Sequence, residues 1–188
     1  MPPGTRAGTI VAMVRHVLFD PTAPDHTASY SRYDHQLLMN SFVHRVDDPE
    51  VLDAAARRLS ELGWVVLRLD AGRWTREADL YDGFAGIFGL PDGYGRSGLD
   101  ALADALSDVA EFTFGGADPA STGTAVLIRH HDVLDTFRPG LAHAVLDAFA
   151  REARLAALYG HPMLCLVESP EPFADVGAAP VLEAHTPH

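Results

Sequence analysis

The chain reads as an α/β protein with a small parallel three-stranded sheet packed with helices. Three observations predict it. Three short runs of β-formers, residues 64–69, 124–129 and 163–167, have the length of buried strands. Stretches of helical periodicity separate them, and strands that alternate with helices imply right-handed crossovers and a parallel sheet. The composition is that of a folded domain: 188 residues, 47% hydrophobic and 21% charged.

Residues 1–62 read as an N-terminal extension, expected to add strands and one helix to that core. Residues 9–19 and 36–46 are strand-like, with Pro21, Pro24 and a polar loop to Asp34 between them. From Asp48 the pattern sharpens. Asp48 is a good N-cap, and Pro49 stands at the first helical position, where its missing N–H costs nothing. Val51, Leu52, Ala55, Leu59 and Leu62 recur at helical spacing until Gly63 ends the helix.

The central domain, residues 63–168, opens with the strand over 64–69. Thr75 caps the next helix, with Glu77 and Asp79 in its first turns; Leu80, Phe84, Ile87 and Phe88 line one face, and Gly89 and Pro91 stop it. Residues 91–98 are a turn-rich loop, and a helix follows over 98–110. A loop over 115–123 leads to the strand 124–129. A helical turn over 132–137 and a long helix over 140–159, opened by Pro139 and closed by Gly160, precede the last strand. The tail, 169–188, holds four prolines and reads as a loosely docked arm.

Charge narrows the function. Twenty-six acids against fourteen bases, all arginine, leave a net of −12. Phosphate binding needs clustered cations, so nucleic acid is a poor direct partner, while a basic protein is a good one. No apolar run approaches the roughly 18 residues of a membrane span, and no signal peptide is recognisable, so a cytoplasmic location is expected. The single cysteine, Cys165, excludes an internal disulfide and any multi-cysteine zinc site; among apolar neighbours it reads as a core thiol.

The helix over 98–110 is the most informative element. At about 100° per residue, Leu99, Leu102, Leu106 and Val109 cluster within about 80°, and Asp100, Asp104, Asp108 and Glu111 cluster diametrically opposite. Like charges at i and i+4 repel by a few tenths of a kcal/mol, so the row is not there for helix stability. Seven acids and one base lie between Asp79 and Glu111, a net of −6. Such a row suits a groove built for a phosphodiester backbone.

Residues 90–95, Leu-Pro-Asp-Gly-Tyr-Gly, followed by Leu-Asp-Ala-Leu-Ala-Asp-Ala-Leu at 99–106, resemble the signature of the barstar family. The order of elements over about residues 64–168 is similar as well. The resemblance implies an intracellular inhibitor of a small ribonuclease, or an immunity protein against a nuclease toxin, that plugs the active site with this loop and acidic helix. Asp100 and Asp104 match the family's helix aspartates, Asp104 being the one expected where the substrate phosphate binds. Tyr94 and Gly95 match the loop aromatic and glycine. The implied partner-binding set is Asp92, Tyr94, Gly95, Ser97, Asp100, Ala103, Asp104, Ser107, Asp108 and Glu152. Three departures stand out. The family's first loop aromatic falls on Gly93, its helix aromatic on Ala103, and another near Val109. The late-helix glutamate falls on Arg151 by direct alignment and on Glu152 with a one-residue insertion; Glu152 is the favoured match. The implied partner is a small basic ribonuclease or nuclease toxin, with neither nucleic acid nor membrane bound directly.

No enzyme motif competes. His130 and His131 would point to opposite faces of a strand, and no HExxH occurs, so no metal is expected. Ser97 lacks the G-x-S-x-G elbow, and Gly83, Gly86 and Gly89 sit in a helix pattern rather than a phosphate loop, so no cofactor is expected. Asp100 and Asp104 on a protruding face lack the desolvated cleft that splits catalytic pKa values. The alternative function is a binding module on the same scaffold that no longer inhibits a ribonuclease and uses its N-terminal extension to bind another partner.

Overall fold

The computed structural model describes residues 18–113, 118 and 120–177. The strand expected over 9–19 lies outside these up to residue 17; Leu18 and Phe19 form a turn. The sheet has four parallel strands where the sequence suggests three: β1 (Val43–Val46), β2 (Val65–Asp70), β3 (Thr124–Arg129) and β4 (Met163–Glu168), in the order β1-β4-β3-β2. The extension supplies the fourth, β1, which pairs along β4 from Val43 opposite Cys165 to Val46 opposite Glu168.

The central strands β3 and β4 are buried over their first five residues. Both faces therefore need cover, as parallel sheets require. On one face pack α3 (Glu77–Phe88), α4 (Leu99–Ala110) and α6 (Leu141–Leu158), whose Phe84, Leu102, Leu106 and Phe149 meet Val126, Ile128, Cys165 and Val167. On the other lies α2 (Pro49–Glu61), whose Leu52, Ala55, Ala56 and Leu59 meet Ala125, Leu127, Leu164 and Leu166. The extension thus supplies half of the buried residues of the second core.

Local chemistry sets most boundaries. The Asp48 carboxylate accepts the Glu50 N–H at 2.7 Å and Pro49 opens α2, as its sequence requires. Asp79 starts α3 by accepting from the Thr75 and Arg76 amides, so the cap is Arg76 and Thr75 lies one residue outside. Gly89, left-handed at φ 60°, lets Leu90 N–H turn back to Ala85 O and aims the following loop.

One expected strand divides. Residues 36–46 hold most of a helix, α1 (Tyr33–Asn40), before β1 begins at Val43. No side chain caps α1, so the sequence around it carries no start signal. Packing decides it: Tyr33, Leu37 and Leu38 lie against the α2-side core. Within it Asp34 is fully buried and accepts from Arg32 Nε and Nη2, the His35 amide and Trp64 Nε1. Burial works against the charged carboxylate, but these hydrogen bonds and the Arg32 charge hold its pKa below the ordinary value. The expected helical turn over 132–137 is a 3₁₀ turn followed by α5 (Leu134–Phe137). The tail docks on α6 as far as it is described: Gly177 N–H donates to Asp147, and Phe173 and Val176 meet the core.

Trp64→Phe removes one donor to the buried Asp34 and is expected to lower unfolding free energy by about 1.5 kcal/mol or more, read by urea titration. The loss should shrink in an Asp34→Asn background; equal losses in both would show that the bond contributes nothing.

Candidate functional site

The segment between α3 and α4 is pinned at both ends. Leu90 is buried, and the Tyr94 amide donates to Pro91 O at 3.0 Å to close a turn. Gly95, at φ 72°, lies so near α4 that a Cβ would sit 3.0 Å from that of Ala105. Arg96 reaches back to Asp82 of α3 at 3.2 Å. That contact is the loop's one ion pair among the described residues, and no periodic signal announces it.

α4 presents its two faces as its spacing demands. Leu102, Ala105, Leu106, Val109 and Ala110 are each 1% exposed, and Leu99 is half-buried at the start. Asp100, Asp104 and Glu111 are exposed on the other side, with no cation paired to them among the described residues. Asp108 is half-buried and accepts a hydrogen bond from the Tyr94 hydroxyl. That bond, then slight burial and the charges of Asp108 and Asp104, raise the Tyr94 pKa. Tyr94 thereby joins the loop to the acidic face.

α6 adds one group. Glu152 is half-buried against α4, beside Ser107. Burial raises its pKa; Arg151 opposes, while Asp104 and Glu111 add to the rise. Arg151 is exposed and turns to Asp147 of its own helix at 3.8 Å. Of the two late-helix matches, Glu152 is the one the fold turns toward the acidic row. Ala103 and Ser107 are half-buried on α4, while Asp92 and Ser97 are exposed in the loop. The structure thus gathers loop, α4 face and Glu152 on one surface. The aromatic positions stay empty: Val109 is core, and Phe112, just past α4 at φ 61°, turns edge-on to His161 instead.

The order of elements, the pinned loop and the two-faced helix decide the assignment together with sequence comparison. The chain belongs to the barstar family. The family model described as Barstar (barnase inhibitor) matches residues 64–168, just over half the chain. No curated protein matches the chain. Among solved structures it is similar to a chain of the structure of Drosophila ORC bound to DNA, with 14% identity and a TM-score of 0.46. That match covers 81% of this chain and 39% of the other, too loose a likeness to bear on function. The barstar domain marks a binding module of the barnase-inhibitor kind, in a family of inhibitors rather than enzymes.

Other chemistry is not gathered. No three His, Cys, Asp or Glu side chains among the described residues could share a metal. Cys165 is fully buried, and burial pushes its thiol far above the reactive range. Burial also lowers His131 to about 4. No described helix is long and apolar enough to cross a membrane.

Because the Glu152 pKa is raised on folding, its charge opposes the folded state at neutral pH. That opposition is relieved as pH falls through its folded-state pKa. Glu152→Gln is therefore expected to stabilise the protein at pH 7 by a few tenths of a kcal/mol. The gain should fade toward pH 4, and melting temperatures of both proteins across that range would show it.

Proposed function

We propose that this barstar-family protein binds a small basic ribonuclease, or a nuclease-type toxin, and blocks its active site with α4 and the loop over residues 91–98. The observation that carries the reading is the row of Asp100, Asp104 and Glu111: exposed, uncompensated, and held on a helix whose opposite face is core. A nuclease active site is lined with cations for a phosphodiester. A rigid row of carboxylates takes that place without being cleaved, and its field accelerates encounter. Asp104 is the central charge, Asp100 supports it, and Tyr94 packs beside them. Asp92, Ser97, Ala103, Ser107, Asp108 and Glu152 complete the partner-facing surface, and the buried Gly95 shapes the loop from beneath. With alanine and glycine at the family's aromatic positions, electrostatics supplies a larger share of affinity, so binding should weaken steeply with salt.

In this reading residues 63–168 form the inhibitory domain, 1–62 and 169–188 complete and decorate it, and the protein acts in the cytoplasm to protect the cell's own RNA. An apolar groove of about 560 Å³ favours a second reading, a partner held through the extension. It lies between α1 and the end of α6, and Met39 and Leu158 stand 72% and 83% exposed on it. Deleting the extension would remove β1 and α2 with their core, so point changes in the groove, Met39→Glu and Leu158→Glu, separate the readings.

Asp104→Ala is expected to reduce affinity for an inhibited ribonuclease by at least about 2 kcal/mol while leaving the melting temperature unchanged. Titration of RNA cleavage by barnase-like ribonucleases measures it. Loss of inhibition on Leu158→Glu, with Asp104→Ala silent, would move the interface to the extension.

A further inference from the structure

A second polar site lies on the other face of the sheet from α4. The carboxyl ends of β2 and β3 and the start of α2 enclose a cavity of about 340 Å³. In open α/β sheets this end of the strands is where small ligands bind. Three guanidinium groups line it: Arg68 from β2, Arg129 from β3, and Arg73 from the turn after β2. That is three of fourteen arginines gathered around one cavity in a chain of net charge −12.

The carboxylates present orient these groups without using them up. Arg129 donates through Nη2 to Asp53 at 2.8 Å, with Nε 3.9 Å from Glu168, and its Nη1 has no partner among the described residues. Arg73 meets Asp70 through Nε at 3.3 Å, leaving both Nη groups without a partner there. Arg68 makes no ion pair and no hydrogen bond among the described residues. A guanidinium offers five donors, so these groups keep several that a ligand could take in place of water. Leu52 and Leu127 give the cavity an apolar wall.

The rim is strained. His130, at the end of β3, has φ 53°, a conformation costly for a side chain other than glycine. Its Nδ1 lies 2.9 Å from Asp70 Oδ1, so Asp70 is shared between His130, Arg73 and the Gly72 amide. A Cβ on Gly72 would fall 2.9 Å from that nitrogen, so the closeness requires glycine. Strain of this kind persists where the surroundings impose it, and it gathers at functional sites.

We propose that this cavity binds a small phosphorylated molecule, its phosphate held by Arg68, Arg73 and Arg129 and its organic part lying against Leu52 and Leu127. Planar guanidinium groups match phosphate oxygens two at a time, which a lysine could not do. The site is independent of the inhibitory surface on α4.

Phenyl phosphate, inorganic phosphate and phenol, titrated into the full chain at constant ionic strength and followed by NMR, test it. Phenyl phosphate is expected to bind saturably and several-fold more tightly than inorganic phosphate, with phenol not binding. Arg68 and Arg73 are exposed, so the double variant R68Q/R73Q should keep the unliganded melting temperature. It should weaken phenyl phosphate binding at least about tenfold. Absence of saturable binding, equal binding by phenol, or unchanged affinity in R68Q/R73Q would overturn the proposal.

Discussion

A parallel sheet tolerates water on neither face, and that constraint organises the whole molecule. The central strands β3 and β4 carry apolar side chains alternately to both sides, and each side must be covered. The barstar-family segment supplies α3, α4 and α6 on one side. The other side is covered by α2 and the residues of α1 that pack beside it, all upstream of the family match. The extension is therefore part of the hydrophobic structure, with the buried Asp34 carboxylate joining it to Trp64 at the head of the matched segment. Buried charge of this kind is held only by a full set of donors, and Arg32, His35 and Trp64 provide them.

The same burial fixes the direction of α4. Its leucines lock the helix against the core, so the opposite face is fixed in direction whatever it carries. That face carries carboxylates whose mutual repulsion costs the fold a little and is offset by packing underneath. Glu152, brought up from α6, has its pKa raised first by burial, with Asp104 and Glu111 adding to the rise against the opposing charge of Arg151.

The charges are also partitioned. Acidic groups gather on the α4 side, while arginines gather at the carboxyl ends of β2 and β3, on the α2 side. The sheet lies between the uncompensated carboxylates of α4 and a cavity where three arginines meet Asp53 and Asp70. This separation lets a strongly acidic protein keep a local site for anions.

Features written within a few residues of one another are legible in the amino-acid order itself. Asp48-Pro49, the leucine and aspartate periods of residues 99–111, the stops at Gly63 and Gly89, and the barstar-like motif all act through contacts along one turn or one helix face. Those signals carry through to α2, α3, α4 and the acidic surface. What depends on distant residues is not legible there. Residues 36–40 are helical because Tyr33, Leu37 and Leu38 find a core that only α2 and the sheet create. β1 is a strand because β4 offers it an edge, and Asp34 is tolerated because Trp64 lies thirty residues on. That Glu152 faces α4 while Arg151 turns to Asp147 comes from how α6 rolls against α4, and the arginine-lined cavity from strands that meet only in the sheet. The sequence alone determined, by local periodicity, α2, α3, α4, α6 and the strands β2 to β4, and which face of α4 is charged. Tertiary structure decided the pairings across the chain, because their hydrogen bonds and buried area exist only once both partners have been brought together.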